Sequence, residues 1–198
     1  ERPEEVVVYM GHWDHLGIHE DGEIYNGAID NATGIAGIIE IAERFATTEP
    51  APERSVAFLA VTLEESGLLG SQYYVAHPAF PLENTVGVVN LDAMSVAGPS
   101  RDFVVTGLGN SELEDILKPI AEAQGRTLVE EGNPAGGFYF RSDHFNFAKA
   151  GVPALYAKGG GDLVDGGKEA GEEYARRYNE VAYHKPADEF DPSWNLDG

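Results

Sequence analysis

The sequence predicts an α/β fold, a three-layer sandwich around a mostly parallel central sheet. Three observations carry this expectation. Short β-branched or apolar runs alternate with helix-spaced amphipathic segments along the chain. Proline- and glycine-rich breaks separate them. The polar residues able to do chemistry fall just after the apolar runs, where open α/β sheets bind ligands.

The elements follow in order. "EVVVYM" (5–10) predicts a buried strand, and 11–34 a polar, glycine-punctuated loop. Residues 33–47 place Ile35, Ile38, Ile39, Ala42 and Phe45 at helical spacing, hence an amphipathic helix. "EPAPE" (49–53) breaks it. "SVAFLAVT" (55–62) is a second strand, and 67–77 a helix ended by Pro78. "TVGVVNLD" (85–92) and "DFVVTG" (102–107) are further strands. Residues 111–125 form a helix opened by a Ser111 cap. A short helix is expected within 142–151 and a last strand over 152–158. The long excursion 159–180 carries some helix and is expected to flank the pocket and influence substrate choice. There is no internal repeat and no interdomain linker, so residues 1–198 read as one domain.

Composition narrows the function. Thirty-four acids face 13 Lys plus Arg, a net charge of −21. Such a surface repels phosphate backbones and anionic lipid, so neither nucleic acid nor membrane is an expected partner. No apolar run approaches the ~18 residues of a membrane span. Cysteine is absent, which excludes disulfides and thiolate metal sites.

Adjacent Glu64 and Glu65 in "LEESGLLGS" (63–71) pose the chemical question. Glu is favoured in a helical first turn, which explains one acid without invoking function. Elsewhere, however, the first strand runs into His12 and Asp14, the third into Asp92, the loop before the first helix carries Asp30, and "AYHKPADEFD" (182–191) carries His184. Imidazole and carboxylate together suit zinc and its neighbours. Two ions about 3.5–4 Å apart need a bridging carboxylate and polarise one shared water. Glu65 would then be a ligand and Glu64 the base beside that water, the cations cancelling the like-charge repulsion.

The stretches "GHWDHLG", "NGAIDNATG", "LEESGLLGS", "NLDAM", "RSDHFNFAKAGVPA" and "YHKPADEFD" resemble the zinc-dependent exopeptidases of aminopeptidase family M28. They come in the family's order and span nearly the whole chain. The resemblance implies the zinc-exopeptidase (phosphorylase/hydrolase-like) type of sandwich, two Zn2+ and a peptide substrate. It implies that Asp30 bridges the ions, with His12 and Asp92 on one and Glu65 and His184 on the other. Glu64 becomes general base and then acid, Asp14 supports His12, and Tyr183 offers its hydroxyl to the developing oxyanion. It also implies a cis Asp30–Asn31 peptide bond.

Arg141 either borders the substrate site or pairs with one of the many acids. Ser142 and Asp143 either cap a helix or serve the site, with His144 lining the pocket. His15, His19 and His77 are expected in loops or at the surface. Family members usually carry more chain at both ends, so the expectation is a trimmed catalytic core of a periplasmic or secreted protein, its oligomeric state open. Aminopeptidase is the leading expectation. A carboxypeptidase or dipeptidase using Arg141 or Lys158, a glutaminyl cyclase-like transferase and a non-catalytic metal-binding ectodomain module are the rivals.

Overall fold

A computed structural model describes all of residues 1–198. Eight strands form: β1 (Arg2–His12), β2 (Gly17–Ile18), β3 (Ile24–Tyr25), β4 (Arg54–Val61), β5 (Thr85–Asn90), β6 (Asp102–Val105), β7 (Thr127–Glu130) and β8 (Ala154–Gly159). The α-helices are α1 (Thr33–Thr47), α2 (Leu69–Ala76), α3 (Leu113–Ala123), α4 (His144–Lys149) and α5 (Gly167–Val181). Six strands make one sheet in the order β4-β1-β5-β8-β6-β7. The pairs β4·β1, β1·β5, β5·β8 and β6·β7 are parallel, while β6 runs antiparallel to β8. The expected mostly parallel sandwich is present.

Strand periodicity sorts the β1 side chains between two layers. Val6, Val8 and Met10 point into a core with Val61, Val88 and Phe147, against which Tyr74 and Val75 of α2 and Ala148 of α4 also pack. Tyr9 points the other way, its ring 5.8 Å from Phe45 of α1 and 6.0 Å from Phe58 of β4. Helix α1 thus covers one face and α2 with α4 the other. A smaller cluster of Val105, Leu155 and Ala157, joined by Leu113 and Leu117 of α3, closes the β6–β8 end.

Several expected boundaries shift. The third strand ends at Asn90, which leaves Leu91 and Asp92 beyond the ladder. The polar loop contains the small β2–β3 hairpin, and "TLVE" forms the unexpected edge strand β7. Ser111 caps α3 reciprocally: its Oγ accepts from the Leu113 amide at 3.3 Å, and its own amide donates to Glu114 Oε1 at 3.2 Å. The excursion after β8 resolves into α5, whose end delivers Tyr183 and His184. No helix is long and apolar enough to cross a membrane.

Chain order explains where a site can form. After central β1 the chain crosses to β4 on one side, then returns to β5 on the other. The carboxyl ends of β1, β4 and β5 therefore open at a topological switch point. His12 is the last residue of β1, paired in register with Val61 at the end of β4.

Candidate metal centre

His12 enters this crevice nearly sealed from solvent, 1% exposed. Its Nδ1 sits 3.0 Å from the backbone carbonyl of Asp14, which orients the ring and leaves Nε2 facing inward. The Asp14 carboxylate lies farther, at 3.8 Å, and its Oδ1 instead accepts the backbone N–H of Glu64 at 3.3 Å. Asp14 thus meets His12 mainly through its backbone and the Glu64 amide through its side chain.

Asp30 precedes α1 in a segment of non-helical backbone (φ −110°, ψ 88°), and the Asp30–Asn31 peptide bond is cis, as expected. Its two oxygens face different imidazoles: Oδ1 lies 3.3 Å from His12 Nε2 and Oδ2 3.3 Å from His184 Nε2. On the first side Asp92 Oδ1 is 3.5 Å from His12 Nε2. On the second, Glu65 Oε2 is 3.3 Å from His184 Nε2. Neighbouring Asn31 ties the loops together. Its Nδ2 donates to the Leu91 carbonyl at 3.0 Å, while its Oδ1 accepts from Gly34 at 2.9 Å and Ala93 at 3.2 Å.

These separations bear on what the residues could hold. They are long for a charge-assisted hydrogen bond, which prefers about 2.7–2.9 Å. Donors 2.0–2.1 Å from a tetrahedral cation lie about 3.3–3.4 Å from one another. His12 Nε2 is also buried without a hydrogen-bond partner, an orphan that a cation would satisfy. Two donor sets sharing Asp30 therefore fit divalent cations: His12, Asp30, Asp92, and Asp30, Glu65, His184.

Electrostatics agree. Burial alone would lower His12, but Asp30 and Asp92 push it up to about 12. Burial would raise Asp30, yet His12 and His184 hold it well below the usual carboxylate range. Asp30 raises His184. Burial, then the Asp92 charge, pushes Glu64 up to about 9. In the protein alone the imidazoles serve as the cations this acidic cluster needs, a role that metal ions would take over. Tyr183 stacks on His184, ring centroids 4.0 Å apart, and burial raises its hydroxyl to about 12. Glu64 and Glu65 lie on the sharp turn after β4, where Leu63 takes φ 59°, rather than in the first turn of α2.

Several side chains settle expectations that the sequence left open, or depart from them. His15 lies in a loop, one of its two expected places, but not at the surface: its side chain is 6% exposed, with Nδ1 2.7 Å from Glu65 Oε1. Gly27 makes room for it, since a Cβ there would lie 2.5 Å from the His15 ring. Of the two readings for Asp143, helix cap or substrate contact, the second fails, as does a pocket-lining His144: both side chains are fully buried and have no surface to offer a substrate. Asp143 accepts from Ser71 Oγ at 2.5 Å, and His144 packs between the Tyr139 and Tyr156 rings, where burial lowers it to about 4. Ser142 instead serves Asp92, donating to its Oδ2 at 2.5 Å while accepting from Asn90 Nδ2 at 2.7 Å. Arg141 is exposed, pairs with no acid and lies over the Phe138 ring at 5.6 Å. Lys158 turns to the Ala93 carbonyl and the Tyr156 hydroxyl, at 3.4 and 3.3 Å.

A family profile described as "Peptidase family M28" matches residues 1–197. The chain belongs to peptidase family M28. The M28 chain is 28% identical to a probable glutamate carboxypeptidase of Arthroderma benhamiae, over 91% of this chain and 26% of that protein. It is 30% identical to leucine aminopeptidase 2 of Trichophyton equinum, over 83% and 35%. The M28 chain thus spans about a quarter to a third of the length of these curated relatives. Among solved structures, the LapA aminopeptidase of Legionella pneumophila superposes with a TM-score of 0.71 at 22% identity, covering 98% of this chain and 46% of that one. A Porphyromonas gingivalis glutaminyl cyclase superposes at 0.62 and 17% identity, covering 90% and 74%. At these identities both show the shared fold.

Proposed function

We propose that this M28 chain is the catalytic core of a dizinc exopeptidase that releases N-terminal residues from peptides. One observation carries the reading: the two oxygens of Asp30 face two imidazoles, each joined by its own second carboxylate. Bound there, two zinc ions would polarise the scissile carbonyl and bring a water's pKa near neutrality. His12 and Asp92 would hold one ion, Glu65 and His184 the other, with Asp30 shared.

The chain's own residues do the rest. Glu64 receives the proton of the attacking water at its carboxylate and delivers it to the leaving amine nitrogen. Its backbone amide donates to Asp14, and its neighbour Glu65 is a ligand in this reading, an arrangement that would hold the acceptor beside the attacking water. The Tyr183 hydroxyl, kept protonated, is available to donate to the oxyanion. Acidic residues crowd the crevice, which favours a substrate with a free α-ammonium group. The leucine aminopeptidase relative points the same way.

A carboxypeptidase reading rests on the unpaired Arg141, a cation able to take a terminal carboxylate. Hydrolysis of matched dipeptides, one free at both ends, one N-acetylated and one C-amidated, separates the two. An aminopeptidase loses the N-acetylated substrate and keeps the amide; a carboxypeptidase does the reverse. Metal analysis after purification without chelator should find close to two ions per chain. One ion, or turnover of neither free nor blocked peptide, would refute the proposal.

A further inference from the structure

Four residues beyond His184 stands Asp188, 1% exposed and without a cationic partner. Both its oxygens are committed to the loop that carries Asp30. Oδ1 accepts the Ile29 amide at 2.9 Å and Oδ2 the Asp30 amide at 3.1 Å, while the Asp188 carbonyl accepts the Ala28 amide at 3.1 Å. The Asp188 amide in turn donates to the Lys185 carbonyl at 3.1 Å, closing a tight turn directly after His184. Outside this clamp Asn26 Nδ2 reaches Glu189 Oε1 at 3.2 Å and the Pro186 carbonyl at 3.5 Å.

Sealing a carboxyl group in the interior is costly unless hydrogen bonds answer it. Here the answer consists of consecutive amides, one belonging to the shared ligand itself. His184 needs such an anchor. It is 38% exposed at its side chain and sits at φ 54°, on a turn that no strand supports. His12 and Asp92 do not depend on it: the first ends a central strand against the Asp14 carbonyl, and the second is held by Ser142.

We propose that Asp188 is a positioning residue that locks the His184 turn to the backbone of Asp30 and thereby sets the affinity of the cation facing Glu65 and His184. This rests on the dizinc reading, so the test begins with the ion count. The chelator-stripped chain is titrated with zinc against a chromophoric competitor, and in parallel with cobalt(II) read by its visible spectrum. Fewer than two ions on the unaltered protein would refute the dizinc reading, and with it the clamp.

With two ions on the unaltered protein, Asp188→Asn is expected to bind the first with little change and the second about 10–100-fold more weakly, the usual effect of losing a ligand's hydrogen-bonded support. The cobalt spectrum of the second equivalent should change while that of the first is kept. Unchanged affinity for both ions, or equal weakening of both, would overturn the clamp. Should Asp188→Asn fail to fold, Asn26→Ala decides the matter. It removes only the outer ties and is expected to weaken the second ion alone, by severalfold; unaltered binding of that ion would overturn the proposal.

Discussion

Glu64→Gln keeps the shape of the buried side chain and removes its proton acceptor. Its effect on stability follows from the site. In the cation-free protein burial and Asp92 raise the carboxyl from 4.5 to about 9. At pH 7 the unfolded chain carries Glu64 ionised, while the folded chain must protonate it. The penalty is absent below pH 4.5, grows as pH rises and levels off near 9. At pH 7 it spans about 2.5 units (7 − 4.5), or about 3 kcal/mol. Gln carries no such penalty. The chelated variant should therefore melt about 6–12 °C above the chelated parent at pH 7, with the gap closing near pH 4.5. Turnover should move the other way, falling about 10²–10⁴-fold, or roughly 3–5 kcal/mol of barrier, because the proposed mechanism gives this one carboxyl both proton transfers. Scanning calorimetry at both pH values, zinc analysis and dipeptide hydrolysis test the three parts. Intact hydrolysis would refute the role of Glu64. A lower melting temperature for the chelated variant at pH 7 would refute the electrostatic reasoning.

Glu65→Gln should lower the occupancy of one ion rather than abolish proton transfer, with activity partly restored by added zinc; full occupancy at limiting zinc would count against its ligand role. Gly34→Ala should destabilise the chain by about 1–3 kcal/mol or more, because the new Cβ would collide with Asn31 Oδ1 and the Leu91 carbonyl oxygen, which hydrogen bonds fix in the loops carrying Asp30 and Asp92. Urea unfolding measures it, and a neutral result would mean that these loops yield. Burial holds His144 at about 4 against a usual 6.5. Unfolded His144 therefore takes up a proton that the folded ring refuses, so its contribution is complete above pH 6.5 and is lost as pH falls towards 4, at most about 3 kcal/mol. Between pH 7 and 4.5 His144→Leu should lose less stability than the parent; parallel pH profiles would refute this.

Local pattern was enough to read much of this fold. The run Val6–Met10 could only be a strand, because its β-branched residues pack on both sides of a sheet. The spacing of Ile35, Ile38 and Phe45 could only make a one-sided helix. His12, Glu65 and Asp92 were legible as one cluster because parallel strands at a switch point open on the same edge. What escaped was set by distance along the chain. "TLVE" is too short to declare itself and becomes β7 only because β6 offers an unpaired edge. The reversal of β6 against β8 is a matter of chain routing, which no local pattern encodes. His15, with nothing in its own loop to suggest burial, is enclosed by Gly27 and Glu65. Asp143 and His144 belong to a polar stretch that looks like a pocket rim, yet α4 packs on β5 and β8 and takes them inside, leaving Ser142 to reach Asp92. Sequence by itself determined which residues could be strands, helices and metal donors, since those properties reside in each side chain and its near neighbours. Only the tertiary structure decided which donors face one another and which groups hold them. Hydrogen bonds such as Asp188 to Asp30, 158 positions apart, exist only once the sheet has brought their segments together.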